Sequence, residues 1–246
     1  MRYAIVSDIH ANLAALQAVL GEVGSADEVW CLGDIVGYGP EPNECVETIK
    51  QRASVCIPGN HDWACIGKID IADFNGDAAA AIMWTQRRLS APNLAFLDSL
   101  PETVTTGDFT LAHGSPREPI WEYIIYPGTA KANFAHFSTQ VCLVGHTHLP
   151  VMFQEAKSAQ KPGTPCQVVP IELGNWQPMG RRRRIINPGS VGQPRDGNPW
   201  SSYLLLDTSR MMLEYRRVPY PVEITQRNMQ KAGLPPRLYL RLGYGR

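Results

Sequence analysis

The chain has 246 residues, 44% hydrophobic and 19% charged, the proportions of a globular domain rather than a disordered or fibrous one. Lysine plus arginine equals aspartate plus glutamate at 23 each, so no overall field draws the protein to nucleic acid or anionic lipid. No apolar run approaches the ~20 residues of a membrane-spanning helix, and the six cysteines lack the paired CxxC spacing of a zinc knuckle or redox motif.

The first apolar run, "YAIVSDIH" (3–10), begins almost at once and leaves no room for a signal peptide, which predicts a cytoplasmic protein with reduced thiols. It reads as a buried strand closing on Asp8 and His10. Asn12 then offers an N-cap to a helix in which Leu13, Leu16, Leu20 and Val23 follow 3-4-3 spacing. "VWCLGDIVG" (29–37) repeats the strand pattern and closes on Asp34. "PNECVETIKQR" (42–52) opens with proline and puts Cys45, Val46 and Ile49 on one helical face. "SVCIPGNHD" (54–62) is a third strand, closing on Asn60, His61 and Asp62.

Helices are predicted over 76–90 and 92–100, then a strand in "FTLAHGS" (109–115) that ends at His113. "TAKANFAHF" (129–137) has helical spacing, and "VCLVGHTH" (141–148) is a strand ending in His146 and His148. Another strand is expected in "QVVPIEL" (167–173), among the proline- and glycine-rich loops of 151–178. "RIINPGSVG" (184–192) follows, its preceding arginines 181–184 read as alternating across the start of an exposed strand. Residues 202–218 read as an antiparallel hairpin, and 234–246 as an extended, partly apolar arm on a single domain spanning 1–246.

Strands alternating with helices imply an α/β core, in which ligands bind beyond the carboxyl ends of the strands. The polar residues that close the strands would therefore converge. Five of the six histidines belong to that set, and buried imidazoles without a ligand would each need two hydrogen-bond partners. A shell of two carboxylates, an amide oxygen and several imidazoles suits Mn, Fe, Co, Ni or Zn better than Mg or Ca.

"DIH" (8–10), "GD" (33–34), "GNHD" (59–62), "HG" (113–114) and "GHTH" (145–148), in this order, resemble the calcineurin-like metallophosphoesterases, and "INPGS" (186–190) resembles their small bacterial phosphodiesterase-like branch. The resemblance implies a two-sheet αββα sandwich and a centre of two divalent transition-metal ions. By position, Asp8, His10 and His148 are implied as ligands of one ion, and Asn60, His113 and His146 of the other. Asp34 would bridge them, sharing in the activation of water. His61 is implied as the non-ligand histidine that protonates the leaving group, and Asp62 as a support for His61 or its loop. The implied function is metal-dependent hydrolysis of small phosphodiesters or nucleotides.

One departure from the family matters. Gly37-Tyr38 stands where the superfamily's protein phosphatases carry Asp-Arg, which weakens that alternative. Arg195 and Arg117, each just beyond a strand end, are candidate replacements for the lost cation, with Tyr38 as a third substrate contact. Trp121 and Tyr123 offer stacking faces to a base, although packing in a core or lid is the simpler reading. A dinucleoside polyphosphate hydrolase and a non-catalytic scaffold on the same fold stay open. The scaffold is disfavoured because all seven implied ligands and His61 are present. Nucleic acid as a partner is disfavoured by the zero net charge, and a homo-oligomer is left open.

Overall fold

Side chains on a strand point alternately to its two faces, and burial of both faces decides this architecture. The computed structural model describes residues 1–24, 26–156 and 166–246. One six-stranded sheet runs in the order β3 (Ala53–Cys56), β2 (Glu28–Cys31), β1 (Arg2–Val6), β11 (Ser201–Asp207), β12 (Met212–Val218), β9 (Gln177–Pro178). The second runs β4 (Thr103–Thr106), β5 (Phe109–Ala112), β6 (Val141–Leu143), β10 (Arg184–Pro188), β7 (Pro150–Gln154), β8 (Gln167–Val168). Strands β1, β2 and β3 are parallel neighbours, as are β5, β6 and β10.

Ile5, Trp30 and Ile57 from the first sheet meet Leu111, Leu143 and Ile186 from the second, forming the core between the sheets. The alternate residues Ala4, Val6 and Cys31 face the other way. There they pack on Leu16 and Val19 of α1 (Leu13–Glu22) and on Val46 and Ile49 of α2 (Pro42–Arg52). Across the molecule, Cys142 and Ile185 pack on Ala130 of α6 (Pro127–Asn133) and on Phe134. Helix, sheet, sheet and helix are thus stacked in four layers, the expected αββα sandwich.

The local signals act as read in α1, where the Asn12 side chain accepts a hydrogen bond from the Ala15 N–H, and in the β11–β12 hairpin. Expected elements differ in extent. The helix predicted over 76–90 is α4 (Gly76–Gln86), and a second helix, α5 (Ala91–Ser99), starts after Ser90. The helix expected over 129–137 begins at Pro127 and tightens to a 3-10 turn at Phe134–His136. Of 167–173 only Gln167–Val168 is strand, and residues 157–165 of the neighbouring loop region lie outside those described.

Two expectations are corrected. The start of strand β10, read as exposed where the arginines enter it, is buried, as is the rest of the strand between β6 and β7. Arg184 is tolerated there because its guanidinium donates to the Pro178 carbonyl and to Gln154 Oε1. The segment 234–246, read as an extended arm, is instead α8 (Pro236–Leu240) followed by a 3-10 turn at Arg241–Tyr244. Leu234, Leu238 and Leu242 bury themselves against Trp84 and Ala81 of α4, Met229 of α7 (Val222–Lys231), and Tyr38. No helix among the described residues is long and apolar enough to cross a membrane.

Candidate metal centre

The carboxyl ends of β1, β2, β3, β5 and β6 lie at one edge of the sandwich, and the polar residues that close them meet there. Asp8 and His10 follow β1, Asp34 follows β2, and Asn60 and His61 open the short helix α3 (Asn60–Cys65) after β3. His113 follows β5; His146 and His148 follow β6. The turns that carry them are unusual. Asp8, His10, Asp34, Tyr38, His146 and His148 all have φ between +51° and +64°, the left-handed region that side chains rarely adopt. Strain of this kind persists where surrounding contacts over-determine the backbone, as at functional sites.

Those contacts are specific. Asp8 N–H donates to the Gly33 carbonyl and His10 N–H to the Asp34 carbonyl, stitching the first two turns together. The Asp8 carboxylate accepts from the His146 N–H, and the Ser190 hydroxyl donates to the Asp8 carbonyl. Asn187 donates through its side-chain amide to the Gly145 carbonyl and to Thr147 Oγ1, fixing the "GHTH" turn. Asn187 and Ser190 were visible in the sequence only as pieces of "INPGS", with no role attached.

All seven proposed ligand side chains are buried. Donor atoms of Asp8, His10, Asp34 and His148 lie within 4.8 Å of one another, and so do donors of Asp34, His113 and His146. Asp34 is the member common to both groups. Its Oδ2 is 3.5 Å from His10 Nε2 and 3.4 Å from His113 Nε2, while its Oδ1 accepts from the His61 N–H.

Second partners set which imidazole nitrogen faces inward. His10, His113 and His148 direct Nδ1 at the backbone carbonyls of Val36, Leu32 and Gln193, which fixes the proton on Nδ1 and leaves Nε2 as a lone pair toward the centre. His146 is reversed: its Nε2 meets the Trp121 carbonyl, so Nδ1 is its inward donor. Inward-facing lone pairs collect accordingly. His10 Nε2 and His148 Nε2 stand 3.0 Å apart, and Asp34 Oδ2, Asn60 Oδ1 and His113 Nε2 are buried without a hydrogen-bond partner among the described residues. Unpaired buried acceptors are costly unless a cation satisfies them, so this donor set fits divalent transition-metal ions.

The electrostatics follow from burial and proximity. Burial pushes Asp8 up to about 7, with His113 opposing. Burial would also raise Asp34, but the neighbouring imidazoles, His113 foremost, hold it well below the usual carboxylate range. Burial alone would lower His113; the Asp34 carboxylate overrides this and lifts it to about 10. Burial takes His146 down to about 3 and His61 to about 4. In the bare site at neutral pH His113 is therefore an imidazolium, its Nε2 protonated until a cation takes that place, while His61 and His146 are neutral.

His61 lies beside the ligands, its ring 4.8 Å from that of His10, with its buried Nδ1 unpaired among the described residues. Asp62 accepts from the Val36 and Gly59 backbone N–H groups, which ties together the turns after β2 and β3. A Cβ at Gly37 would fall 2.6 Å from His61 Nδ1, so this arrangement has no room for the aspartate that protein phosphatases carry at that place. Tyr38 packs its ring 4.6 Å from His10 and 4.4 Å from His61.

Arg195 is close to the centre. Its guanidinium is held by Gln193 Oε1 and sits 5.9 Å from the Tyr38 ring, and its charge is among the causes that lower His61 and His148. Arg117 is instead engaged by the Glu122 carboxylate, an ion pair that also involves Ser115 and Asn133. Tyr123 stacks on His146 at 4.0 Å, and Trp121 packs on Phe74, leaving both indole and phenol partly exposed at the rim. Phe74, which also touches His61, escaped the sequence reading because nothing around it repeats a strand-end pattern.

Comparison with known proteins agrees with this geometry. Residues 1–211 match the calcineurin-like phosphoesterase superfamily domain. The chain is 37% identical to an uncharacterized protein of Methanocaldococcus jannaschii over 99% of its own length and 98% of the relative's. The crystal structure of a metallophosphoesterase from Sphaerobacter thermophilus superposes with a TM-score of 0.90 at 44% identity, covering 100% of this chain and 99% of that one. A shorter likeness, 28% over 123 residues (43% of this chain, 44% of the relative), links it to a symmetrical bis(5'-nucleosyl)-tetraphosphatase of Photorhabdus laumondii. With the expected sandwich, its Asp/His groups able to hold metal, and a family match over most of its length, the chain belongs to the calcineurin-like phosphoesterase superfamily.

Proposed function

We propose that the protein is a metal-dependent phosphoesterase acting on small phosphodiesters or nucleotides, with two divalent transition-metal ions that share Asp34. The observation that carries this reading is the pair of buried donor groups meeting at Asp34, with unpaired acceptors turned inward. Asp8, His10 and His148 would hold one ion and Asn60, His113 and His146 the other. Bound there, such ions supply the Lewis acidity that activates water and offsets the charge of the phosphoryl group.

The chain's own side chains provide the rest. The carbonyls of Val36, Leu32, Gln193 and Trp121 keep four imidazoles in fixed tautomers, so little reorganisation is needed at the ligands. Arg195, tethered by Gln193, would bind a non-reacting phosphoryl oxygen. His61 enters neutral because burial depresses its pKa; an adjacent phosphate charge favours its imidazolium and equips it to give a proton to the departing oxygen.

Hydrolysis of a dinucleoside polyphosphate is a narrower form of the same reading, supported by the partial likeness to the symmetrical tetraphosphatase. A panel of mononucleotides, cyclic nucleotides, dinucleoside polyphosphates and nitrophenyl esters, run with protein reconstituted in each of Mn, Fe, Co, Ni and Zn, tests the proposal. Metal-dependent turnover of at least one ester class is expected. No turnover with any metal, in protein shown to hold that metal, would sink the enzyme reading.

A further inference from the structure

A cavity of about 690 Å³ opens beside the metal-facing residues, bounded by Tyr38, Gly76 and Asp77 of α4, and by Arg237, Arg241 and Arg246 from the C-terminal segment. That volume is in the range of small-molecule sites. Its wall carries three arginines and the carboxylate of Asp77. Arg237 Nε is 3.8 Å from Asp77 with its side chain 89% exposed, and the one side-chain hydrogen bond of the half-buried Arg241 among the described residues runs from Nε to the main-chain oxygen of Arg246. Burial, then the nearby Arg195 charge, lowers the Arg241 pKa, while Tyr38 and Asp77 oppose. Guanidinium groups that line one cavity offer an anion several charge-assisted donors.

The cavity is continuous in its lining with the reaction site through Tyr38. The Tyr38 ring packs on His10 and His61 and also lines the cavity, and the Arg195 guanidinium sits 5.9 Å from that ring. The arginine wall comes from residues beyond 211, outside the part that matches the family.

We propose that this cavity is a second anion subsite, taking the phosphates of a nucleoside or dinucleoside polyphosphate that lie beyond the one being cleaved. This rests on the phosphoesterase reading and narrows its substrate class. Arg241 and Arg237 bind the distal phosphates, Arg195 the phosphate at the reacting end, and Tyr38 sets the path between them.

Two measurements on wild type, Arg241→Gln, Arg241→Lys and Arg237→Gln decide it. In the first, kcat/KM is compared for diadenosine tetraphosphate and bis(p-nitrophenyl) phosphate with metal-loaded protein. The preference for the polyphosphate should fall about 10- to 100-fold in Arg241→Gln, by less in Arg237→Gln, and be partly restored by lysine. In the second, calorimetry follows inorganic tripolyphosphate binding to metal-free protein, which avoids chelation. Binding should weaken in the same order. Arg237 is so exposed that its replacement will not disturb folding, which covers the case in which Arg241→Gln is unstable. An unchanged preference in both glutamine variants overturns the subsite even if the wild type is an active phosphoesterase. If the wild type cleaves neither ester, tripolyphosphate affinity decides the subsite alone: weaker in the arginine variants supports it, equal overturns it, and the wider ester panel decides the enzyme reading separately.

Discussion

His61 and His113 are both buried imidazoles beside Asp34, yet their environments push them in opposite directions, and the difference is testable. Desolvation wins at His61 and the Asp34 carboxylate wins at His113. A group raised to about 10 stays protonated at pH 7.5, so His113 must release its proton before it can bind a cation. Metal affinity should therefore rise with pH up to that range. For the metal-free fold the sign is opposite: the stability that protonated His113 contributes is fully present below its unfolded pKa and is lost as pH rises through about 10. Calorimetric metal uptake at pH 7.5 in buffers of different ionisation enthalpy should show proton release, reduced by about one proton in His113→Ala. Equal release in the two proteins would contradict the assignment. At His61 the prediction concerns the leaving group. General acids contribute about 10²–10⁴-fold where the departing oxygen is a poor leaving group. His61→Ala should depress alkyl ester or nucleotide hydrolysis by about that factor while barely altering nitrophenyl ester hydrolysis, with metal content unchanged. Equal losses on both substrates would argue against proton donation.

At the scale of elements, the C-terminal helices are part of the fold rather than an appendage. Leu238 is 2% exposed between α4 and α7, so Leu238→Ala should cost about 2–5 kcal/mol in urea unfolding. A change below about 0.5 kcal/mol would mean that the segment is not packed as described. This region also shows where sequence reading stops. Long helices with Asn12-type caps or a leading proline declared themselves, and so did strands closed by Gly, Asp or His. Helix α8 is five residues long, too short for periodicity to register, although Leu234, Leu238 and Leu242 do fall at four-residue intervals. The start of β10 was misjudged because four consecutive arginines suggest solvent, whereas Arg184 pairs both of its terminal guanidinium nitrogens inside the layer. The residues that meet at the sheet edge were legible as a cluster because each closes a strand. Arg241, Phe74 and Asn187 were not, since their roles come from tertiary contacts that no local spacing encodes.

For the whole molecule, two sheets aligned so that five parallel strand ends share one edge bring residues 8 and 148 into one cluster. The central claim is that this edge holds two metal ions joined through Asp34. Elemental analysis of purified wild type, His113→Ala and Asp34→Ala, each reconstituted with excess Mn and desalted, tests it most directly. Two ions per chain are expected in the wild type, about one in His113→Ala, and loss from both positions in Asp34→Ala. Full occupancy in Asp34→Ala, or no bound metal in the wild type, would contradict it.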